Sequence, residues 1–348
     1  MARKAKASPP EDGLSLEERL VAKLGSEQAR LASSPLSSDV PDYISTQCAT
    51  LDFAIGRPGI PVRRLTVLYG REGSGKSTVA YHILAETQRR NGIAILIDAE
   101  HRYSRDRGER IGLDHSRLVT LTPTTMEECF QDIEKIVAYV REEDASRLVC
   151  IAIDSLAALP TKKQMEAEID DAIQPGGAAR LVSRELQKIT GLISKYDIAL
   201  VVVNQLRQHI DISGDPRNRE RRKVMRNHAM IAEGPLVYYG SLFIYFVSIG
   251  SLGEKETPTG ITVRADIRKN SIAPEGKRVT FDIDFLRGVD QDGSKLDLLE
   301  RLGVIERNGA WYAYGGAKFQ RRGFSAFLEE HPELEGAISQ APLLWLEG

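Results

Sequence analysis

The chain has 348 residues, 42% of them hydrophobic and 28% charged, with a formal net charge of -2. This describes an ordinary globular protein with one large core and small appended units. It excludes wholesale attraction to polyanions, so any nucleic-acid contact must come from a local basic patch. Three cysteines (Cys48, Cys129 and Cys150), odd in number and without metal-ligand spacing, speak against a disulfide framework or a zinc site and fit a reducing cytosol.

The chain opens on a basic stretch followed by Ser8, Pro9, Pro10, Glu11 and Asp12, with no apolar segment of the kind a signal peptide carries. Residues 1–12 are expected to be disordered. Over 15–32, Leu16, Leu20, Val21, Leu24 and Leu31 form a helical apolar stripe. A helix that short is marginal alone and needs something to pack against. Serines and prolines over 33–39 read as a linker, which places a helix and linker at 13–38.

From about residue 39 to 287 the pattern becomes that of a large α/β core. Near-continuous apolar runs at 65–69, 93–97, 118–121, 148–153 and 198–203 alternate with helical patterns at 76–90, 125–143 and 178–196. Such runs predict a mostly parallel sheet with helices on both faces. Further runs at 242–249, 261–267 and 279–285 have short connections and are expected as antiparallel strands at one sheet edge. Beyond Gly288 the composition shifts again. Leu296, Leu298, Leu299 and Leu302 predict a helix stopped by Gly303, 311–316 a β-turn unit and 322–331 a second helix, together a small α/β subdomain at 288–348. The longest apolar run, 242–249, is far below the roughly 20 residues that span a bilayer, so a cytoplasmic protein without a membrane partner is expected.

Gly70-Arg71-Glu72-Gly73-Ser74-Gly75-Lys76-Ser77, followed by Thr78, matches the phosphate-loop pattern G-x-x-x-x-G-K-[ST] between a strand and a helix. The glycines let successive backbone N–H groups converge on a phosphate, and the helix N-terminus adds its partial positive charge. Lys76 is expected to reach the β- and γ-phosphates of ATP, and Ser77 to hold Mg²⁺. Asp154, ending the 148–153 run, suits a second Mg²⁺ position, although a strand-terminal Asp also serves as a helix N-cap. Glu100 lies just past the 93–97 run, where ligands bind in open α/β sheets, and is either the residue that orients the attacking water or structural. Asn204 and Gln205 end an apolar strand, as a working position or as a strand cap.

With Ile44-Ser45-Thr46, Leu51-Asp52, Asp98-Ala99-Glu100-His101, Asp154-Ser155-Leu156, Val203-Asn204-Gln205-Leu206-Arg207 and Gly309-Ala310-Trp311-Tyr312, the order of motifs resembles the RecA family of recombinases, as a divergent bacterial or phage-type member. The resemblance implies a DNA-dependent ATPase. It would form a helical filament on single-stranded DNA, dock its N-terminal helix on the adjacent copy and exchange strands with double-stranded DNA. It makes Glu100 the catalytic glutamate, Gln205 the sensor of the γ-phosphate and Lys269 a cation reaching the adjacent copy's ATP. Arg107 stands where an adenine-stacking tyrosine is expected.

Two DNA-binding loops are implied, at about 160–177 and 207–234. The first is acidic, so its contacts would be backbone N–H groups and Arg180. In the second, Arg207, Arg217, Arg219, Arg221, Arg222, Lys223 and Arg226 face Asp211, Asp215 and Glu220 over residues 207–226, an excess of four positive charges (seven minus three). Several positions depart from the family. Ala232-Glu233 precede Gly234-Pro235 where paired glycines are expected, Ser271 replaces a second lysine, with Arg268 adjacent as a substitute, and the chain ends apolar instead of acidic. An alternative therefore stays open: a RecA-like paralogue or mediator that binds ATP and DNA without strand exchange. An ATPase of this fold with no DNA role is the third reading, opposed by the basic run.

Overall fold

The computed structural model describes residues 15–24, 39–166, 177–208, 228–230, 232–254 and 256–344. Residues 1–39 and 40–348 form two units. In the first, helix α1 (Leu16–Leu24) begins with a reciprocal cap: the Glu18 N–H donates to Ser15 Oγ at 3.2 Å and the Ser15 N–H donates to Glu18 Oε2 at 2.7 Å. The expected disorder over 1–12 and the linker lie outside the described residues.

The second unit opens with β1 (Tyr43–Ile44), α2 (Ala49–Ile55) and β2 (Ile60–Pro61), β1 and β2 being paired antiparallel. Here the Ile44-Ser45-Thr46 and Leu51-Asp52 motifs find a structural purpose. Buried Asp52 accepts from Ser45 Oγ (2.6 Å), Thr46 Oγ1 (2.7 Å) and the Thr46 N–H (3.1 Å), which fixes the entry to α2. Burial pushes its carboxyl up to about 6, against the pull of those hydrogen bonds.

Then come β3 (Leu65–Gly70), α3 (Lys76–Arg89), β4 (Ile93–Asp98), α4 (Arg105–Ile111), β5 (Leu118–Leu121), α5 (Met126–Glu143), β6 (Val149–Asp154), α6 (Lys162–Glu166), α7 (Gly177–Ile193) and β7 (Ile198–Gln208). After these follow β8 (His228–Met230), α8 (Glu233–Tyr239), β9 (Leu242–Gly253), β10 (Pro258–Asn270), β11 (Arg278–Asp284) and β12 (Gly288–Val289). The ten-stranded sheet runs β12-β11-β10-β9-β3-β7-β6-β4-β5, with β8 antiparallel on the end of β7. Side chains alternate between its faces. Ala94, Leu96, Cys150 and Ala152 join the cluster that includes residues of α2 and α3, whereas Ile95, Ile97, Ile151 and Ile153 join that of α5 and α7. That two-sided burial is why these strands read as unbroken apolar runs.

One strand differs from expectation. β9 joins β3 in parallel, and only β10, β11 and β12 continue antiparallel. The chain between β7 and β9 contains α8, so this connection is a crossover long enough to bring β9 back in the same direction.

The remainder is α9 (Gln291–Arg301), an antiparallel sheet of β13 (Glu306–Asn308), β14 (Trp311–Tyr314) and β15 (Ala317–Gln320), then α10 (Phe324–Glu330) and α11 (Glu333–Leu344). Leu296, Leu299, Tyr312, Phe324, Phe327 and Leu334 build a third apolar cluster, which also takes in Phe53 from α2. Gly303, at φ 70°, follows α9 where the sequence predicts a stop. Helix α11 differs from the sequence expectation; its buried Leu334, Ile338 and Ala341 carry helical spacing, and Pro342 lies in its last turn.

Candidate nucleotide site

Strand β3 delivers the chain to the phosphate loop through Gly70, where a Cβ would stand 2.3 Å from the Phe246 carbonyl oxygen of β9, so only glycine permits this approach. Gly75 adopts φ 90° directly before α3, and a Cβ there would meet Ile283 at 2.4 Å. Between them Ser74 Oγ donates to the Arg71 carbonyl at 2.8 Å. Lys76, 5% exposed, donates from Nζ to the same carbonyl at 2.7 Å. Burial lowers its pKa, opposed by the negative charges of Asp154, Glu100 and Glu72.

The ends of β4, β6 and β7 supply the acidic side. Asp154 is buried and accepts from Tyr81 OH of α3 at 3.1 Å. Burial raises its carboxyl, and a hydrogen bond from Ser77 acts the other way, which brings the two expected Mg²⁺ positions together. A cis peptide joins Asp154 to Ser155. Ser155 Oγ donates to Glu100 Oε1 at 2.5 Å, and Gln205 Nε2 donates to the same oxygen at 2.7 Å. Asp98, two residues before Glu100, has a different task. It accepts from the backbone N–H groups of Arg102 and Tyr103, each at 3.1 Å, and so shapes the turn in which His101 takes φ 54°.

These groups share a cleft of about 480 Å³ whose opposite wall is apolar, made by Ile261 and Ile283 of β10 and β11 and by Phe285. The arrangement combines a glycine-rich loop at a helix start, a buried lysine, a hydroxyl–carboxylate pair and a glutamate held by two donors, a set of groups chemically suited to nucleoside triphosphate hydrolysis.

Comparison with known proteins agrees with this geometry. The family model of the RecA N-terminal domain matches residues 21–290, and that of the RecA C-terminal domain matches residues 293–341. Protein RecA of Rubrobacter xylanophilus is 35% identical over 300 residues, 85% of this chain and 82% of the relative. Protein RecA of Syntrophus aciditrophicus is 34% identical over 294 residues, 84% and 80% of the two chains. This chain belongs to the RecA family. It is a RecA-type recombinase, a DNA-dependent ATPase by family. The crystal structure of the RadB recombinase superposes with a TM-score of 0.50 at 23% identity, covering 71% of this chain and 98% of that one, a likeness of fold.

Within the RecA frame the remaining sequence-predicted residues separate. Arg107 lines the cleft and donates to Thr78 Oγ1 of α3, while its buried Nε has no partner among the described residues. Lys269 lies on β10 with Nζ donating to the Val237 carbonyl of α8 at 2.7 Å, 6.0 Å over the Phe243 ring. Arg268, the suggested substitute for the second lysine, is occupied otherwise. It donates to buried Asp266 at 2.7 Å, as do Arg264 (3.1 Å) and Arg278 (2.8 Å).

Arg180 is exposed on α7. Of the two loops, 162–166 is helical, Gly177 already belongs to α7, and β8 pairs back on the end of β7. Ala232, at φ 53°, and Glu233 stand at the start of α8, with Pro235 in its first turn, so the stretch 232–234 belongs to a helix start and not to a loop. The side chain of Arg207, together with Arg217, Arg219, Arg221, Arg222, Lys223 and Arg226, lies outside the described residues. Two features of the cleft escaped sequence reasoning: the apolar wall, which depends on strand order, and Arg102, which no motif marks.

Proposed function

We propose that this RecA-type chain forms a helical filament on single-stranded DNA in the cytoplasm and exchanges that strand into a homologous duplex, with turnover of ATP. The hydrogen bond from Gln205 to Glu100 carries the reading, because Gln205 lies on β7, the strand that leads directly into the basic run at 207–226. A change at the γ-phosphate therefore has a short route to the DNA-facing segment.

In this reading the backbone of residues 70–78 and Lys76 hold the phosphates. The hydroxyl of Ser77 and the carboxylate of Asp154 are hard oxygen donors that fit Mg²⁺, which when bound neutralises phosphate charge. Glu100, its Oε1 fixed by Ser155 and Gln205, orients the attacking water and accepts its proton. Arg107 lies along the nucleotide, and Lys269 leaves the Val237 carbonyl to reach the nucleotide of the adjacent copy. Helix α1 docks on that copy through Leu16, Leu20 and Leu24, which are exposed at 70%, 56% and 56%. The cations of 207–226, with Arg180, bind DNA phosphates, so binding weakens steeply with salt.

The test is the ATPase rate with and without single-stranded DNA at low and moderate salt, for the wild type and Gln205→Ala. We expect strong DNA stimulation that fades with salt and disappears in Gln205→Ala while DNA binding persists. Turnover indifferent to DNA in the wild type refutes the coupling. Ala232 and Glu233 at the start of α8 favour the second reading, a nucleotide- and DNA-binding paralogue without strand exchange. Pairing assays with homologous and non-homologous duplexes separate the two.

A further inference from the structure

We propose that Arg102 is a catalytic residue of this ATPase, an arginine supplied by the same chain that meets the γ-phosphate and stabilises the charge developing there. The inference rests on the ATPase reading of the cleft. Arg102 NH1 lies 2.7 Å from Glu72 Oε1 of the phosphate loop and 3.4 Å from Glu100 Oε2. It thus spans the gap between the loop that holds the phosphates and the glutamate that orients the water. It lines the nucleotide cleft and also the adjoining cavity of about 300 Å³ bounded by Glu100, Ser155 and Gln205.

Its backbone is fixed while its side chain is largely exposed. Asp98 accepts from the Arg102 and Tyr103 N–H groups, and the Tyr103 ring meets Tyr81 of α3 edge-on at 5.4 Å. The Arg102 side chain is 65% exposed against 15% for Glu100, so a small rotation about a fixed Cα redirects the guanidinium. Glu72 and Glu100 hold the guanidinium. A triphosphate beside Lys76 brings a denser negative charge and a planar set of oxygens that matches the guanidinium fork better than either glutamate. Of the nearby arginines, Arg107 donates to Thr78 and Arg268 to Asp266, while Lys269 serves the adjacent copy in the proposed filament.

In the reaction the water oxygen bonds to the γ-phosphorus as the bond from phosphorus to the bridging oxygen breaks. Glu100 takes the water proton, ADP leaves with the electron pair of the broken bond, and inorganic phosphate is the second product. Arg102 forms no covalent bond; its hydrogen bonds to the equatorial oxygens strengthen as charge builds.

The experiment compares full-length wild type, Arg102→Ala and Arg102→Lys in DNA-stimulated turnover, in ADP affinity and in trapping of ADP with aluminium fluoride, which imitates the transferring phosphoryl group. We expect ADP affinity within about twofold of wild type in both variants, which also reports an intact fold. Turnover should fall about 10³-fold in Arg102→Ala with loss of the trapped complex, and Arg102→Lys should lie between. Wild-type turnover in Arg102→Ala overturns the proposal. So does a slow variant that still traps ADP–aluminium fluoride while its pH–rate profile shifts, since that outcome makes Arg102 a holder of Glu100 only. A wild type that neither hydrolyses ATP nor traps the analogue overturns the ATPase reading together with this proposal.

Discussion

In the parallel half of the sheet, β3, β4 and β6 end within a few residues of Lys76, Glu100 and Asp154, so the strand ends place the polar groups directly. In the antiparallel half, β10 and β11 contribute Ile261 and Ile283 from within the strands, with Phe285 just beyond β11, and the charged residues of β10 are bound to Asp266 or to α8. One half of the cleft is chemistry fixed by backbone geometry, the other an apolar surface fixed by pairing register. The polar half is therefore expected to govern turnover, and the apolar half affinity.

The largest effect should come from Glu100. Glu100→Gln keeps the shape and one acceptor oxygen but removes the base, so turnover is expected to drop by about 10²- to 10⁴-fold while ATP binding persists. Rapid-quench turnover beside equilibrium nucleotide binding checks this. Normal turnover would break the division between the halves at its strongest point.

A joint between the halves should respond to pH. His82 of α3 is buried, with Nδ1 2.7 Å from Gln47 Oε1 and Nε2 accepting from the Val289 N–H of β12 at 2.9 Å. It is therefore neutral with its proton on Nδ1, and burial lowers its pKa to about 4, helped by the charge of Arg107. Below its usual value near 6.5 the unfolded chain takes up a proton that the folded chain refuses. The stability contribution is present above about pH 6.5 and is lost as pH falls towards 4, reaching about 3 kcal/mol. Asp52 acts oppositely, costing stability as pH rises from its ordinary value towards about 6. The check is therefore differential: urea unfolding of His82→Gln against wild type at several pH values should show a flatter acid-side slope in the variant.

Phe285 tests the apolar wall itself. It is 46% exposed, and Phe285→Ala should weaken ADP binding by about tenfold, the equivalent of roughly 1.4 kcal/mol of lost apolar contact, with turnover at saturation unchanged. A fall in saturated turnover instead would move the apolar half into the chemistry.

The two halves also differ in how far the sequence disclosed them. That the loop 70–77, Asp154, Glu100 and Gln205 meet in one cleft was legible because each lies at the end of an apolar run and strand ends converge in a parallel sheet. The parallel attachment of β9 was not, since apolar strands carry no mark of direction and the decisive α8 is seven residues long. Arg102 was missed because an arginine in a turn looks like any solvated charge until Glu72, 30 residues away, stands beside it. Family resemblance suggested Lys269 as a reaching cation but could not show that α8 holds it within its own chain.

The smallest effects address whether the sheet and the residues after Val289 unfold together. Thr125 caps α5 by accepting from the Glu128 N–H at 3.2 Å, and Asp290 caps α9 by accepting from the Gly293 N–H at 3.0 Å. Replacing either by Ala should cost about 1 kcal/mol. Helix α2 belongs to both regions, with Leu51 and Ile55 in the sheet-face cluster and Phe53 in the C-terminal one. A fluctuation that frees Phe53 therefore disturbs its neighbours under the sheet, and both variants should lower one common transition. Both tryptophans, Trp311 and Trp345, follow residue 290, so fluorescence reports the C-terminal region and far-ultraviolet dichroism the whole chain. Coincident curves by the two probes in all three proteins support the shared helix as the coupling. Separate curves, with Thr125→Ala shifting only the dichroism, would mean that α2 is too short to bind the two regions into one cooperative unit.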